Sequence, residues 1–252
     1  MTSQVVAVEA VKVRAAPVMW WTTLLTVFGV VGLSLAFIKA AQAGSEHVIA
    51  QLGPLATEDG WVLFLGLTAQ LAAAGTVIGF GIGAGWIFGR EFHDHTLPGL
   101  FAQPVSLGQV AVAKLVIYGL WVGVVSTAVT VSAGLSGWAL ISDPVNVEVA
   151  LGLGRVWVLI MLSGGLAVVA AWAVSHTRSL FAGVGASLGV VFLAQGATLT
   201  GVDQGAWVPF AAPTLWTVMP GGVSGGQLAL SLSVPVTFGI LTWWRWHRLV
   251  VD

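Results

Sequence analysis

The chain has 252 residues, of which 57% are hydrophobic and only 8% are charged, with a mean hydropathy of +0.95. A soluble domain carries roughly 25% charged residues, so this composition excludes a water-soluble globular enzyme, a disordered protein and a nucleic-acid-binding protein. The formal net charge of −1 provides no field that would attract a polyanion. The 33 glycines and 13 tryptophans are typical of a polytopic helical membrane protein.

Charged residues divide the chain into apolar stretches, which are 15–38, 60–89, 115–142, 156–177, 179–202 and 204–244. Each of the first five is long enough for one helix to cross about 30 Å of hydrocarbon. The sixth is too long for one crossing, and Pro209, Pro213 and the pair Gly221-Gly222 interrupt its first half. We therefore predict one all-α membrane domain over 1–252, with a broken or re-entrant segment at 204–222 and six spans at about 18–39, 61–88, 110–140, 155–175, 180–201 and 224–244.

The placement of lysine and arginine predicts the orientation of these spans. With the amino terminus in the cytoplasm, Lys39 and Arg155 lie outside, and the inner side collects the other basic residues: Lys12, Arg14, Arg90, Lys114, Arg178, Arg245 and Arg248. Both termini are then cytoplasmic. A seventh span made of 204–222 is the alternative, which the charge bias disfavours because it would move the last two arginines outside. Residues 1–16 are predicted to form an amphipathic helix along the inner interface, before Pro17 turns the chain into the first span.

The segment from Gly89 to Lys114 is the longest non-membrane stretch on the predicted inner side. Ser106 is the predicted N-cap of the helix that leads into span three. Before it comes a short amphipathic piece, in which polar residues alternate with the apolar residues Phe92, Leu97, Leu100 and Phe101. A short helix of this kind, held between two spans, suits docking into a groove on another protein.

The order of residues in this segment resembles the cytoplasmic loop of ABC-2 type transporter permeases. The resemblance rests on Glu91-Phe92-x-Asp94-x-Thr96-Leu97-x-x-Leu100, then Pro104-Val105-Ser106, then Lys114. In that family the loop contains a coupling helix that sits in a cleft of the ATP-binding subunit. The chain departs from the usual pattern at His95, where glycine is usual, and at Leu107, where arginine is common. The residues that the resemblance assigns to the contact with the ATP-binding subunit are Arg90, Glu91, Phe92, His93, Asp94, Thr96, Leu97, Leu100 and Phe101.

The resemblance implies the permease subunit of an ATP-driven exporter in a bacterial cytoplasmic membrane. Six spans, an amphipathic amino-terminal helix and short re-entrant outer helices before span six are features of that family. The chain contains no Gly-x-x-x-x-Gly-Lys-Ser/Thr loop, so we predict that it is not an enzyme and that ATP and Mg²⁺ bind to a separate ATP-binding subunit. The other implied partners are a second permease subunit, identical or homologous, and membrane lipid. Short loops favour a hydrophobic or amphiphilic substrate, such as a drug or antibiotic, whose identity stays open.

Two competing classes of function are weighed against this interpretation. No charge lies in the central part of a predicted span, which argues against a proton-coupled secondary carrier. A membrane scaffold or sensor partner is the other alternative.

Gln70 and Gln195 are the polar residues predicted to face a transport pathway. The run His93-Asp94-His95 is not predicted to bind a metal, because ligands at i and i+2 do not share one face of a helix.

Span two contains a ladder of glycines at the spacing of close helix contacts: Gly75, Gly79, Gly81, Gly83, Gly85 and Gly89. Such a ladder marks either helix packing within one subunit or a seam between two subunits. We predict packing within the subunit, because small-residue ladders are common in membrane bundles.

Overall fold

A computed structural model describes residues 2–101, 104–219 and 221–249, and these residues form helices and no strands. A 3₁₀ turn covers Gly53–Thr57. The α-helices are α1 Thr2–Ala15, α2 Pro17–Gln42, α3 Glu46–Leu52, α4 Gly60–His93, α5 Leu97–Phe101, α6 Leu107–Leu140, α7 Val147–Leu166, α8 Val168–Thr177, α9 Leu180–Thr198, α10 Val202–Gly205, α11 Ala212–Val218, α12 Gly225–Leu230 and α13 Ser233–His247.

Six helical segments of the described chain are long and apolar enough to cross a membrane, as predicted: Pro17–Gln42, Gly60–His93, Leu107–Leu140, Val147–Thr177, Leu180–Thr198 and Gly225–His247. The fourth combines α7 and α8, and the sixth combines α12 and α13. The fourth segment begins at Val147 instead of near 155, because Asn146 caps it by accepting a hydrogen bond from the Val149 N–H at 2.9 Å. Arg155 therefore lies within a helix and does not begin one.

Helices α4 and α6 each contain 34 residues. At 1.5 Å per residue such a helix is about 51 Å long, so it exceeds the roughly 30 Å hydrocarbon core and projects beyond it. We call the end of the bundle where α4 stops and α6 starts the loop end, and the end where α4 starts and α6 stops the opposite end. The segment between α9 and α12 lies at the opposite end. Its longest described helix, α11, has seven residues and is too short to form a seventh span.

Helix α4 occupies the centre of the bundle and packs against α2, α6, α7, α8 and α9. Its glycines make this packing possible, because their backbones lie directly against neighbouring side chains. Gly79 faces Thr26 of α2, Gly81 faces Ser187 of α9, and Gly83 faces the ring of Trp121 of α6. These contacts lie within one subunit, so the packing interpretation of the glycine ladder is confirmed.

We expect Gly83→Ala to lower the stability of the protein by about 1–3 kcal/mol, the usual cost of overpacking a core. A Cβ at this position would overlap the Trp121 ring, which is buried against Phe80 at a centroid distance of 5.5 Å and is held by a hydrogen bond from its indole N–H to the Thr23 hydroxyl at 2.9 Å. Gly75→Ala is the matched control, since its Cβ would meet Val30 at 3.6 Å, an ordinary contact. Thermal unfolding in detergent measures both variants, and equal unfolding temperatures would contradict this account of the packing.

Candidate functional site

The turn after α4 is fixed by backbone hydrogen bonds. The Asp94 N–H donates to the Arg90 carbonyl at 2.7 Å, and the Thr96 N–H donates back to the Glu91 carbonyl at 3.1 Å. Between them His95 adopts a φ of +54°, in the left-handed region. This arrangement closes the helix end by the usual 6→1 bond with a left-handed residue, a position that favours glycine. His95, where the resembled loops usually have glycine, therefore occupies a backbone conformation that glycine adopts more easily than histidine.

We expect His95→Gly to stabilise the protein by about 1 kcal/mol, because an L-residue in the left-handed region costs roughly that amount and glycine does not. The His95 side chain is exposed, so its removal leaves no cavity. Thermal unfolding of the purified chain measures the effect, with His93→Gly as the control. His93 lies in the last turn of α4, where glycine is expected to destabilise. A loss of stability in both variants would contradict the left-handed conformation of His95.

The start of α6 is capped as predicted. The Ser106 hydroxyl accepts a hydrogen bond from the Gln109 N–H at 3.3 Å, and the Gln109 side chain accepts one from the Ser106 N–H at 3.4 Å. This reciprocal pair is a capping box. The loop is therefore bounded on both sides by defined helix ends.

The predicted contact residues divide into an exposed set and an anchored set. His93, Asp94, Thr96 and Phe101 are exposed, and Phe101 has 40% of its surface accessible. An exposed phenylalanine in the same short loop as an exposed carboxylate, hydroxyl and imidazole is suited to contact with a protein partner. We call these four residues the exposed loop face.

The anchored set, which consists of the other five residues, contacts parts of the permease itself. Leu100 is 9% exposed and belongs to the main apolar core, and Phe92 and Leu97 pack against the same core. The Arg90 guanidinium lies 4.9 Å from the ring centre of Trp86, one turn back on the same helix. Glu91 is only 2% exposed. The Glu91 side chain therefore lies inside the bundle and not on the loop surface, which a local sequence pattern could not show because it does not tell which side of a helix end is covered.

Glu91 is held by Lys114, a fully buried residue of α6. The Lys114 ammonium donates to both Glu91 carboxylate oxygens, at 2.8 and 2.9 Å. It also donates to Oε2 of Glu9 in α1 at 3.0 Å and to the Ile87 carbonyl at 2.7 Å. The ammonium is therefore satisfied on every side, as a buried charge must be.

Lys12 completes this group, and we call Glu9, Lys12, Glu91 and Lys114 the charge cluster. The Lys12 ammonium donates to Oε1 of Glu9 and, at 3.2 Å, to Oε1 of Glu91. Burial acts to lower the pKa of Lys12, but the hydrogen bond and the charge of Glu9 and the charge of Glu91 raise it by more, so the net shift is upward. Its stabilising effect is therefore fully present below the unfolded pKa and is lost only as the pH rises through the folded pKa. The cluster therefore pairs two lysines with two glutamates.

Trp246 of α13 packs beside the charge cluster and is fully buried. The Lys114 ammonium lies 5.5 Å from the indole centre, a cation–π distance. Phe88 and Phe92 of α4 meet the same ring edge-on, with centroids 6.1 and 5.7 Å away. The indole N–H donates to the Ser175 hydroxyl in α8 at 2.8 Å. The charge cluster and this indole therefore connect α1, α4, α6, α8 and α13 directly behind the loop.

The two glutamines predicted to face a pathway lie in different surroundings. Gln195 lines a crevice of about 10 Å³ between α4, α7, α9 and α11, together with Ser163 and Thr198. Such a volume holds a single water molecule. Gln70 is exposed on α4, one turn before Ala73 and Ala74, which line the same crevice. The structure therefore places both residues near one crevice, and only Gln195 lines it.

A family model described as "ABC-2 family transporter protein" matches residues 5–196. The chain belongs to the ABC-2 transporter family. The comparison with curated proteins finds no match. As an ABC-2 permease, the chain is a multi-pass membrane subunit of an ABC transporter and works with an ABC ATP-binding subunit. The matched residues include the loop and the whole charge cluster, whereas Trp246 lies beyond them.

Proposed function

We propose that this ABC-2 permease forms one transmembrane domain and exports a hydrophobic or amphiphilic compound, such as a drug or antibiotic, in response to ATP hydrolysis by its ATP-binding subunit. ATP and Mg²⁺ bind to that subunit. The observation that carries the proposal is the construction of the loop: His93, Asp94, Thr96 and Phe101 are exposed, whereas Glu91, two residues before His93, belongs to the largely buried charge cluster. The exposed face contacts the ATP-binding subunit, and the anchored residues Arg90, Glu91, Phe92, Leu97 and Leu100 hold the loop to the bundle.

The charge cluster supports a mechanism for coupling. A force on the loop acts on Glu91, which shares its carboxylate between Lys114 of α6 and Lys12 of α1. Because charged pairs in a buried setting are costly to separate, these helices move with the loop as one body. Trp246 extends the connection to α13. Closure of the ATP-binding subunits thereby switches the side on which the pathway is open.

The distribution of basic residues supports an orientation with the loop end in the cytoplasm. Arg90, Lys114, Arg178 and the two arginines near the carboxyl terminus all lie at the loop end, in keeping with the positive-inside rule. Both termini are then cytoplasmic, and α1 lies along the inner interface of a bacterial cytoplasmic membrane. The segment between α9 and α12 faces the outside as a re-entrant element.

Exposed apolar side chains support a second permease subunit, identical or homologous, as a further partner. Helix α9 has few buried residues and exposes Phe181, Phe192 and Leu193 by 86%, 74% and 59%. A second subunit covers part of such a surface, and lipid covers the rest. The pathway then runs between the subunits, with Gln70 and Gln195 as polar residues along it.

The experiment that tests the proposal is dye transport into inverted membrane vesicles that contain the chain and its ATP-binding subunit. We expect ethidium, an amphiphilic cation, to accumulate when ATP is added, and accumulation to persist after the proton gradient is dissipated. The vesicles of the Asp94→Arg variant provide the control, since the proposed docking face is changed and the bundle is not. Accumulation that needs the proton gradient and not ATP would contradict the proposal and favour a secondary carrier.

A further inference from the structure

A cavity of about 290 Å³ lies at the opposite end of the bundle, between the end of α2, the start of α4 and the end of α6. Its volume is close to the lower limit for small-molecule sites. The apolar part of its lining is formed by Leu35, Ile38, Leu63 and Phe64. It is separate from the loop and from the crevice at Gln195, so neither the docking face nor the proposed pathway accounts for it.

The polar part of the lining contains charges of both signs. Lys39 comes from α2, Asp59 precedes α4, and Asp143 follows α6. The Asp143 carboxylate lies directly against Gly60, which is the first residue of α4 and the chain neighbour of Asp59. Both acidic residues are therefore brought to one side of the cavity, at the start of a 34-residue helix. The Asp59 side chain makes no capping hydrogen bond there, so capping does not explain its presence.

The opposite charges around this cavity do not pair with each other. In the part of the chain that the structure describes, Lys39 forms no ion pair with Asp59 or Asp143, although all three line the same space. In contrast, every charge of the cluster at the loop end is paired. A cavity that separates one cation from two carboxylates is complementary to a zwitterion whose cationic group carries hydrogen-bond donors.

The position of the cavity indicates that this zwitterion is part of a lipid. The charged rim lies where α2 and α6 end, and the apolar lining extends from it into the spans. Trp138, which is 71% exposed, lies in the last turn of α6, at the level where tryptophan meets lipid headgroups. A soluble zwitterion would leave the apolar lining without a partner, whereas the first carbons of acyl chains would cover it.

We propose that this cavity binds the headgroup of a phospholipid that carries a primary ammonium group, with its ammonium at Asp59 and Asp143 and its phosphate at Lys39. A primary ammonium donates hydrogen bonds to carboxylates, and a quaternary choline does not. An anionic headgroup without an ammonium faces the two carboxylates unfavourably. The site therefore selects ethanolamine-type lipids over choline-type and glycerol-type lipids. This lipid site is additional to the proposed export function and does not depend on that function.

The test is native mass spectrometry of the full chain, purified in mild detergent and mixed with equal amounts of dioleoyl phosphatidylethanolamine, phosphatidylcholine and phosphatidylglycerol. We expect one phosphatidylethanolamine to be retained per chain. Asp143→Asn is expected to weaken its retention about tenfold, the effect of losing one charge-assisted hydrogen bond. Lys39→Glu is expected to weaken retention by at least as much, because it also places a carboxylate against the phosphate. Asp203→Asn, which changes an exposed carboxylate outside the cavity, is the matched control and should retain the lipid.

Several outcomes would overturn this site. Equal retention of the three lipids, no retained lipid, or unchanged retention in both cavity variants would each exclude it. Displacement of the lipid by an equal amount of soluble glycerophosphoethanolamine would show that the occupant is a soluble zwitterion. Thermal unfolding in lipid-free detergent shows whether a variant that loses the lipid is still folded. The rim residues are exposed, so their substitution should leave the unfolding temperature unchanged. None of these readouts needs the ATP-binding subunit, so failure here leaves the export proposal standing.

Discussion

Lys114→Met is expected to destabilise the protein by about 3–5 kcal/mol, because it removes the buried cation of Glu9 and Glu91 and leaves these buried carboxylates with only the partly exposed Lys12. Methionine matches the length of the lysine stem, so the loss comes from the charge and not from a cavity. The expected readouts are a lower unfolding temperature in detergent and a lower yield from membranes. Lys12→Met is the matched control: Lys12 is 25% exposed and water replaces part of its pairing, so about 1 kcal/mol or less is expected.

The double variant Lys114→Met with Glu91→Met separates the charge effect from a general defect. It removes one cation and one anion together and leaves Glu9 paired with Lys12. Apolar replacement of a whole buried ion pair is often close to neutral, so the double variant should be more stable than Lys114→Met alone. A double variant that is no more stable than Lys114→Met alone would contradict the role of the charge cluster.

Asp94→Arg is expected to weaken binding of the ATP-binding subunit at least about tenfold while the permease stays folded. Asp94 belongs to the exposed loop face, and reversing its charge places a cation where the partner meets a carboxylate. Because the side chain is exposed, unfolding of the chain alone should change by no more than about 0.5 kcal/mol. Titration of the purified permease with its ATP-binding subunit measures the affinity directly.

The control for this change is Asp203→Arg, which makes the same substitution at an exposed position of the opposite end. It should bind the ATP-binding subunit as the unmodified chain does. Equal binding by all three proteins would exclude Asp94 from the interface. Glu91→Gln is predicted to behave differently from both, since it affects the stability of the bundle before it affects docking.

The number of spans could be predicted from the sequence because the bilayer imposes it: charge-free stretches of sufficient length have few alternatives. The N-cap at Ser106 could be predicted because capping depends on residues that are close in the sequence. In contrast, the contact between α1 and the loop end could not be predicted from the sequence. Glu9 and Lys114 are separated by 105 residues, and no local pattern brings them together.

One signal for the charge cluster was present in the sequence. Lys114 lies inside the predicted third span, 110–140, and a lysine in a spanning helix needs a partner of opposite charge. Asp94 and Glu91, just beyond the end of the preceding predicted span, were the nearest acidic residues before it along the chain. The role of Trp246 had no such signal, because its ring is placed by the packing of α13 against α8 and α4.

Photocrosslinking from the loop tests the central claim most directly. A photoreactive amino acid is placed at the position of Asp94 in one variant and at the position of Asp59 in another, and intact cells that also produce the ATP-binding subunit are irradiated. Both positions are exposed in the permease and lie at opposite ends of α4. The account predicts a crosslink to the ATP-binding subunit from position 94 and none from position 59. A crosslink from position 59, or none from position 94, would contradict both the docking face and the cytoplasmic placement of the loop.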